Sequence, residues 1–152
     1  MEFFNLIRQG NLTEIKPLIA QDKSLLTQND PRGFTPLIMA TYSEQAAVAK
    51  FLLEAGAPVD ARDGAGNTAL MGICFKGHPD MVKLLLEHGA DVNIRNRSGA
   101  TALTYAATFG QTQAAELLLA AGADKSIQDV NGKTAHAHAK EKGFNELAAL
   151  LA

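Results

Sequence analysis

Gly33, Gly66, Gly99 and Gly132 stand 33 residues apart, and no other feature constrains this chain as much. Gly56, Gly89 and Gly122 keep the same interval, as do Gly77, Gly110 and Gly143. Thr35, Thr68, Thr101 and Thr134 form another row, and so do Asp30, Asp63 and Asp129, with Asn96 in the remaining position. Interleaved series with one period are an internal repeat, and a unit this short cannot bury its apolar face alone. Stacked units share one continuous core, so the chain reads as a solenoid.

Within a unit, local chemistry orders the elements. Asp or Asn three residues before Gly marks a turn, because the Asx side chain bonds nearby backbone and Gly accepts positive φ. Thr35 and its equivalents then precede an apolar stretch, where a hydroxyl can cap the free N–H groups of a helix. Pro36 follows at the first helical position, where its missing N–H costs nothing. This first helix is expected to end near Gly77 or Gly110. The second helix carries Val48, Phe51 and Leu52, then Met81, Val82, Leu84 and Leu85, then Ala114, Ala115, Leu117 and Leu118, an i, i+3, i+4 pattern. Lys50, Glu54, Lys83, Glu87 and Glu116 fall on its solvated face. Helices of about 8 to 10 residues are marginal alone and need the stack.

Composition narrows the function. Hydrophobic residues make up 47% of the chain, yet only 6% are aromatic and there is no Trp. The apolar content is chiefly Ala and Leu, which suits helix packing. A net charge of -2, from 14 basic and 16 acidic residues, offers no electrostatic case for wrapping nucleic acid. The single Cys74 excludes an internal disulfide framework and fits a reducing compartment, so a cytoplasmic location is expected. The opening MEFFNLIRQG has no basic segment before a long apolar run, unlike a secretory signal. No stretch approaches the roughly 18 apolar residues of a membrane span, so no membrane role is expected.

The run Thr35 to Ala40, TPLIMA, with the endings GAPVD, GADVN and GADKS, resembles the ankyrin repeat. The likeness also rests on the period, the Gly between helices and the run Leu84-Leu85-Leu86. It covers 30–62, 63–95 and 96–128 as full units and 129–152 as a shortened C-terminal capping unit. Residues 1–29 read as a degenerate N-terminal capping unit, with Phe4, Ile7, Leu12, Ile15, Leu18 and Ile19 supplying two small helices around Gly10-Asn11. The resemblance implies an all-α solenoid forming one domain over 1–152, with hairpin-like loops and inner helices lining a concave palm. It also implies a protein-binding scaffold, not an enzyme, without cofactor or catalytic residues. Two departures stand out. The family's usual His after Thr-Pro-Leu is replaced by Ile38, Met71, Thr104 and Ala137, so its loop-holding network must be replaced or weakened. Glu44-Gln45 stands where Gly-His is usual, which suggests a different link between helices there.

Subtracting turn, cap and packing residues leaves the positions that the resemblance places on the palm. They are Arg32, Phe34, Tyr42 and Arg62; Asn67, Phe75, Lys76 and Arg95; Arg97, Tyr105, Thr108, Phe109 and Gln128; and Asn131, Lys133, Glu141 and Lys142. Seven are Arg or Lys and one is Glu, although the protein is net acidic. Arg and aromatic side chains dominate interface affinity. An aromatic residue at helical spacing is ordinarily core packing, and that reading is preferred for Tyr105; Phe34 and Phe75 read as palm-facing. The candidate protein-binding set is therefore Arg32, Phe34, Tyr42, Arg62, Phe75, Lys76, Arg95, Arg97, Phe109 and Lys133, and Phe75 and Phe109 should be neighbours. The expected partner presents an acidic or mixed acidic–aromatic surface, with charge steering the encounter.

Other functions have weaker signals. Arg32, Arg62, Arg95, Arg97 and Lys133 form a row that could take a nucleic acid or other polyanion. Cys74, between Ile73 and Phe75, reads as a buried inert thiol and only remotely as a nucleophile. His78 reads as structural, and His88 suits the negative end of a helix. His136 and His138 lie two apart in a helix, point apart and make a weak metal signal; no metal site is expected. Gly132-Lys133-Thr134 is the repeat turn, not a phosphate-binding loop. No heptad seam runs between units, which favours a monomer.

Overall fold

The structure is a computed structural model and describes residues 2–152. Among the described residues ten helices follow in pairs: α1 (Glu2–Gln9) with α2 (Leu12–Gln21), α3 (Pro36–Tyr42) with α4 (Ala46–Glu54), and α5 (Ala69–Lys76) with α6 (Pro79–Glu87). Then come α7 (Ala102–Thr108) with α8 (Thr112–Ala120) and α9 (Ala135–Glu141) with α10 (Asn145–Leu150). The odd-numbered helices pack side by side in an inner row, and each even-numbered helix packs behind its own partner. A single apolar core runs from Phe3 to Leu151. Val48, Leu52, Met81, Val82, Leu85, Ala114, Ala115 and Leu118 are buried in it, while Phe51, Leu84 and Leu117 pack at its margin. Lys50, Glu54, Lys83, Glu87 and Glu116 are exposed.

The repeated threonines start the inner helices. Thr35, Thr68, Thr101 and Thr134 each accept from the N–H three residues on, at 3.1, 3.3, 3.3 and 3.2 Å. Each such cap is worth about 1 kcal/mol. Thr104 answers Thr101 with its own hydroxyl, completing a reciprocal capping box. At the other end of α5, Gly77 takes the left-handed conformation at φ 77°, as expected. Helix α7 differs, ending at Thr108 with Phe109 as its cap and Gly110 one residue beyond.

The loops are tight turns, and no strand occurs among the described residues. Asp63 shows their chemistry: its Oδ1 accepts from the N–H groups of Ala65 and Asn67, both at 2.9 Å. Asp30, Asn96 and Asp129 repeat the arrangement. Neighbouring loops are tied by backbone bonds, Arg97 N–H to Ala65 O at 3.1 Å and Val130 N–H to Ser98 O at 3.0 Å. Asn96 Nδ2 also donates to Asn67 Oδ1 at 2.7 Å and to Tyr105 Oη at 2.9 Å. These bonds link neighbouring loops with no histidine at the position after Thr-Pro-Leu.

One feature lay outside the sequence reading, and one expected departure took a definite form. A 3-10 turn, Lys23–Thr27, follows α2 and buries Leu26. Glu44 has φ 56° where its register partners are Gly77 and Gly110, and it is the one non-glycine with positive φ among the described residues. Left-handed backbone costs an L-residue about 1–2 kcal/mol, so the unusual Glu44-Gln45 link is strained. The overlying His78 has Nδ1 buried without a partner, and it makes no side-chain cap. Gln45 and Gln111, its register equivalents, instead reach back to Arg8 O at 2.9 Å and Phe75 O at 3.3 Å.

Candidate functional site

The C-terminal ends of the inner helices carry an unburied aromatic row. Tyr42, Phe75 and Phe109 are 45%, 41% and 44% exposed, far above what core packing would leave. Phe75 and Phe109 meet edge to face, with centroids 4.6 Å apart, as expected from their near-register positions. Phe34, in the loop before α3, is half-buried and packs against Tyr42 at 5.9 Å. Lys76 places its ammonium 4.6 Å from the Tyr42 ring centre, and the Arg32 guanidinium lies 4.5 Å from that of Phe34. Cation–π contacts of this kind hold charge beside an apolar surface. The result is an aromatic strip edged by cations.

The remaining cations are distributed differently from a free row. Arg32 pairs with Asp30 at 3.4 Å and Lys133 with Glu141 at 2.9 Å. Arg62 Nη1 donates to Arg95 O at 3.3 Å, and Arg95 Nη2 donates one repeat further, to Gln128 O at 2.9 Å. These two guanidiniums therefore stitch loops together. Arg97 is exposed and its side chain makes no hydrogen bond or ion pair among the described residues.

Between loops and inner helices lies a pocket of about 270 Å³, lined by Phe34, Ile38, Thr41, Tyr42, Asp63, Asn67, Thr68, Ala69, Met71, Gly72, Phe75 and Tyr105. Phe34, Tyr42 and Phe75 belong to the set read from the sequence; Asp63 was read as a turn residue and Met71 as the occupant of the family's His position, and Gly72 is not among the candidates. Their signal was a comparison across the period: Met39, Gly72, Tyr105 and His138 share one register, and Gly72 alone lacks a side chain. Tyr105 is half-buried and packs against the core, yet its hydroxyl faces the loop asparagines.

Cys74 and the histidines His88, His136 and His138 are held by burial or by structural partners. Cys74 is fully buried, and burial pushes its thiol up to about 12. His88 Nδ1 lies 3.0 Å from Leu84 O at the end of α6. His136, half-buried, bonds through Nδ1 to Ala148 O at 2.7 Å, whereas His138 Nε2 donates to Asp129 Oδ2 at 2.7 Å. The two rings thus serve different partners. Burial alone would raise the Asp129 pKa, but bonds from His138, Lys133 N–H and Asn131 N–H, with the imidazole's charge, hold it below the usual carboxylate value. No helix among the described residues is long and apolar enough to cross a membrane.

Paired short helices, threonine caps and Asx turns on a common period define a helical-repeat solenoid with one open, aromatic-lined face. The family comparison is more specific. Residues 56–129 match ankyrin repeats as three copies, and residues 32–64 match a single ankyrin repeat. The chain belongs to the ankyrin-repeat family, whose members act as non-catalytic protein-interaction modules. Among known proteins it is similar to the 26S proteasome non-ATPase regulatory subunit 10 of Rattus norvegicus, Homo sapiens and Mus musculus, at 40% identity over 62 residues in each case. That segment is 41% of this chain but 27% of each relative, so the likeness spans about a quarter of the relatives' length.

Proposed function

We propose that this protein is an adaptor that binds another protein through the palm formed by its inner helices and loops. The observation that carries the reading is the strip Tyr42, Phe75 and Phe109, exposed on successive inner helices. Exposed aromatics beside cations are what interface hot spots are made from. The partner presents acidic or mixed acidic–aromatic chemistry, because Lys76 and Arg32 edge the strip and would steer an acidic surface toward it. The relatives are by name regulatory subunits without ATPase activity, which supports a role exercised by contact. The buried, lone Cys74 supports work in a reducing compartment such as the cytoplasm, with the chain itself a monomer.

Arg62 and Arg95 tie the loops, so they are poor probes of binding. The better variant joins Phe75→Ala, Lys76→Ala and Phe109→Ala, compared with a Lys50→Glu, Lys83→Glu variant on the outer helices. A partner recovered with the wild type should bind the palm variant at least about tenfold more weakly. It should bind the outer variant normally. Undiminished binding to the palm variant, with binding lost in the outer one, would overturn the reading.

A further inference from the structure

The pocket beside the aromatic strip exists because one side chain is missing from a repeated position. In the third full repeat Tyr105 fills that position, and its phenol meets Asn96, the Asx residue of its own loop, at 2.9 Å. In the last repeat His138 fills it and donates to Asp129, again the Asx residue of its own loop, at 2.7 Å. Twice, therefore, a polar aromatic ring spans the gap between inner helix and turn, the phenol accepting from Asn96 and the imidazole donating to Asp129. In the second full repeat the position is Gly72, and a Cβ built there meets nothing within 4 Å. Its loop residue, Asp63, uses Oδ1 to hold the turn, while Oδ2 has no hydrogen-bond partner among the described residues. Asp63 and Gly72 both line the cavity, together with Phe34, Met71, Phe75 and Tyr105.

Resting on the palm-binding reading above, we propose that this cavity receives a tyrosine side chain from the partner. The guest ring takes the place that Tyr105 and His138 occupy in their own repeats, and its hydroxyl donates to Asp63 Oδ2. The apolar walls suit the ring, and the carboxylate rewards a donor that phenylalanine lacks. A hydrogen bond to a charged group is among the stronger ones. Lys76 and Arg32 flank the entrance through their contacts with Tyr42 and Phe34, which favours acidic residues beside the tyrosine. The volume of about 270 Å³ lies just under the usual range for a drug-sized ligand and fits a single side chain.

The test needs no knowledge of the partner. p-Cresol, which is the tyrosine side chain, and toluene, its phenylalanine counterpart, are titrated into the full-length protein labelled with nitrogen-15. p-Cresol should shift the backbone amides of Gly72, Asn67 and Phe75, and toluene should bind about tenfold more weakly. Asp63→Asn keeps the turn, as Asn96 does in its repeat, and should reduce the difference without erasing it, because its Nδ2 would offer the phenol a neutral donor, as Asn96 does for Tyr105, in place of a charged acceptor. Gly72→Tyr should abolish p-cresol binding. Gly72→Met, which installs the residue carried by the first full repeat, should do the same if the tyrosine variant folds poorly. Equal binding of the two probes, shifts elsewhere, no shifts at all, or undiminished binding in both filled variants would overturn the proposal. If the probes fail while the Phe75, Lys76 and Phe109 variant still loses its partner, the palm reading stands and the tyrosine pocket falls.

Discussion

Gly72 and Gly77 lie five residues apart at the same inner helix, and alanine should act in opposite directions at the two sites. Gly72 is inside α5, without positive φ, and an added Cβ meets nothing within 4 Å. Alanine there restricts the unfolded chain at no steric cost and should stabilise by about 0.5–1 kcal/mol. For a chain of this length that raises Tm by about 1–4 °C. Gly77 holds φ 77° and ψ 43°, and alanine in that conformation loses about 1–2 kcal/mol. The new methyl would also overlap the Gln111 carboxamide, which donates to Phe75 O at 3.3 Å. Displacing that bond costs about 0.5–1.5 kcal/mol more. Urea unfolding followed by far-ultraviolet circular dichroism, with calorimetry to check two-state behaviour, measures both variants. A Gly72→Ala protein less stable than wild type by more than about 0.5 kcal/mol would show that the position is packed. The cavity would then lack room for a guest ring.

Three further outcomes follow from groups already placed. Cys74, with its thiol raised to about 12 by burial, should react with Ellman's reagent at pH 8 only as fast as the protein opens; immediate reaction of the native protein would contradict its placement. Asp129 is held below its ordinary value of 3.8, so its contribution to stability is present above that pH and is lost as pH falls through the lower native value. Asp129→Asn should therefore flatten the acid limb of a plot of Tm against pH, and an unchanged limb would refute the assignment. Truncation before Glu146 removes the buried Leu147, Ala148 and Leu151 and the carbonyl that holds His136. It should abolish cooperative unfolding or cause aggregation, and an unaltered melting curve would show that α10 contributes nothing to the stack.

The fold was legible because its instructions are local. A threonine three residues ahead of a free N–H, or an aspartate beside a turn glycine, acts within a few residues, and the period repeats the message. What lay outside the reading depends on distance. Arg62 and Arg95 looked like unused cations, yet each donates to the carbonyl 33 residues ahead; their own 33-residue spacing was the available signal. Gly72 carries no mark of its own, since a void has no letter in a sequence. The exposed aromatics were found for a sound reason, an excess of large rings left after core positions were filled. Which of them border a cavity follows from the register shared by Met39, Gly72, Tyr105 and His138.

The arginine stitches make the repeats partly exchangeable. If residues 63–95 were excised, Arg62 would directly precede Asn96, inherit the place of Arg95, and face Gln128 O, the acceptor Arg95 uses at 2.9 Å. The guanidinium thread would close over the deletion without a gap. The asparagine thread would not, because Asn96 now donates to Asn67, and Phe34, the residue one period earlier, offers no acceptor in its side chain. Shuffling of repeats is thus permitted along the loop backbones and refused at the middle of the palm. One amide pair helps to fix the order of the units in this stack.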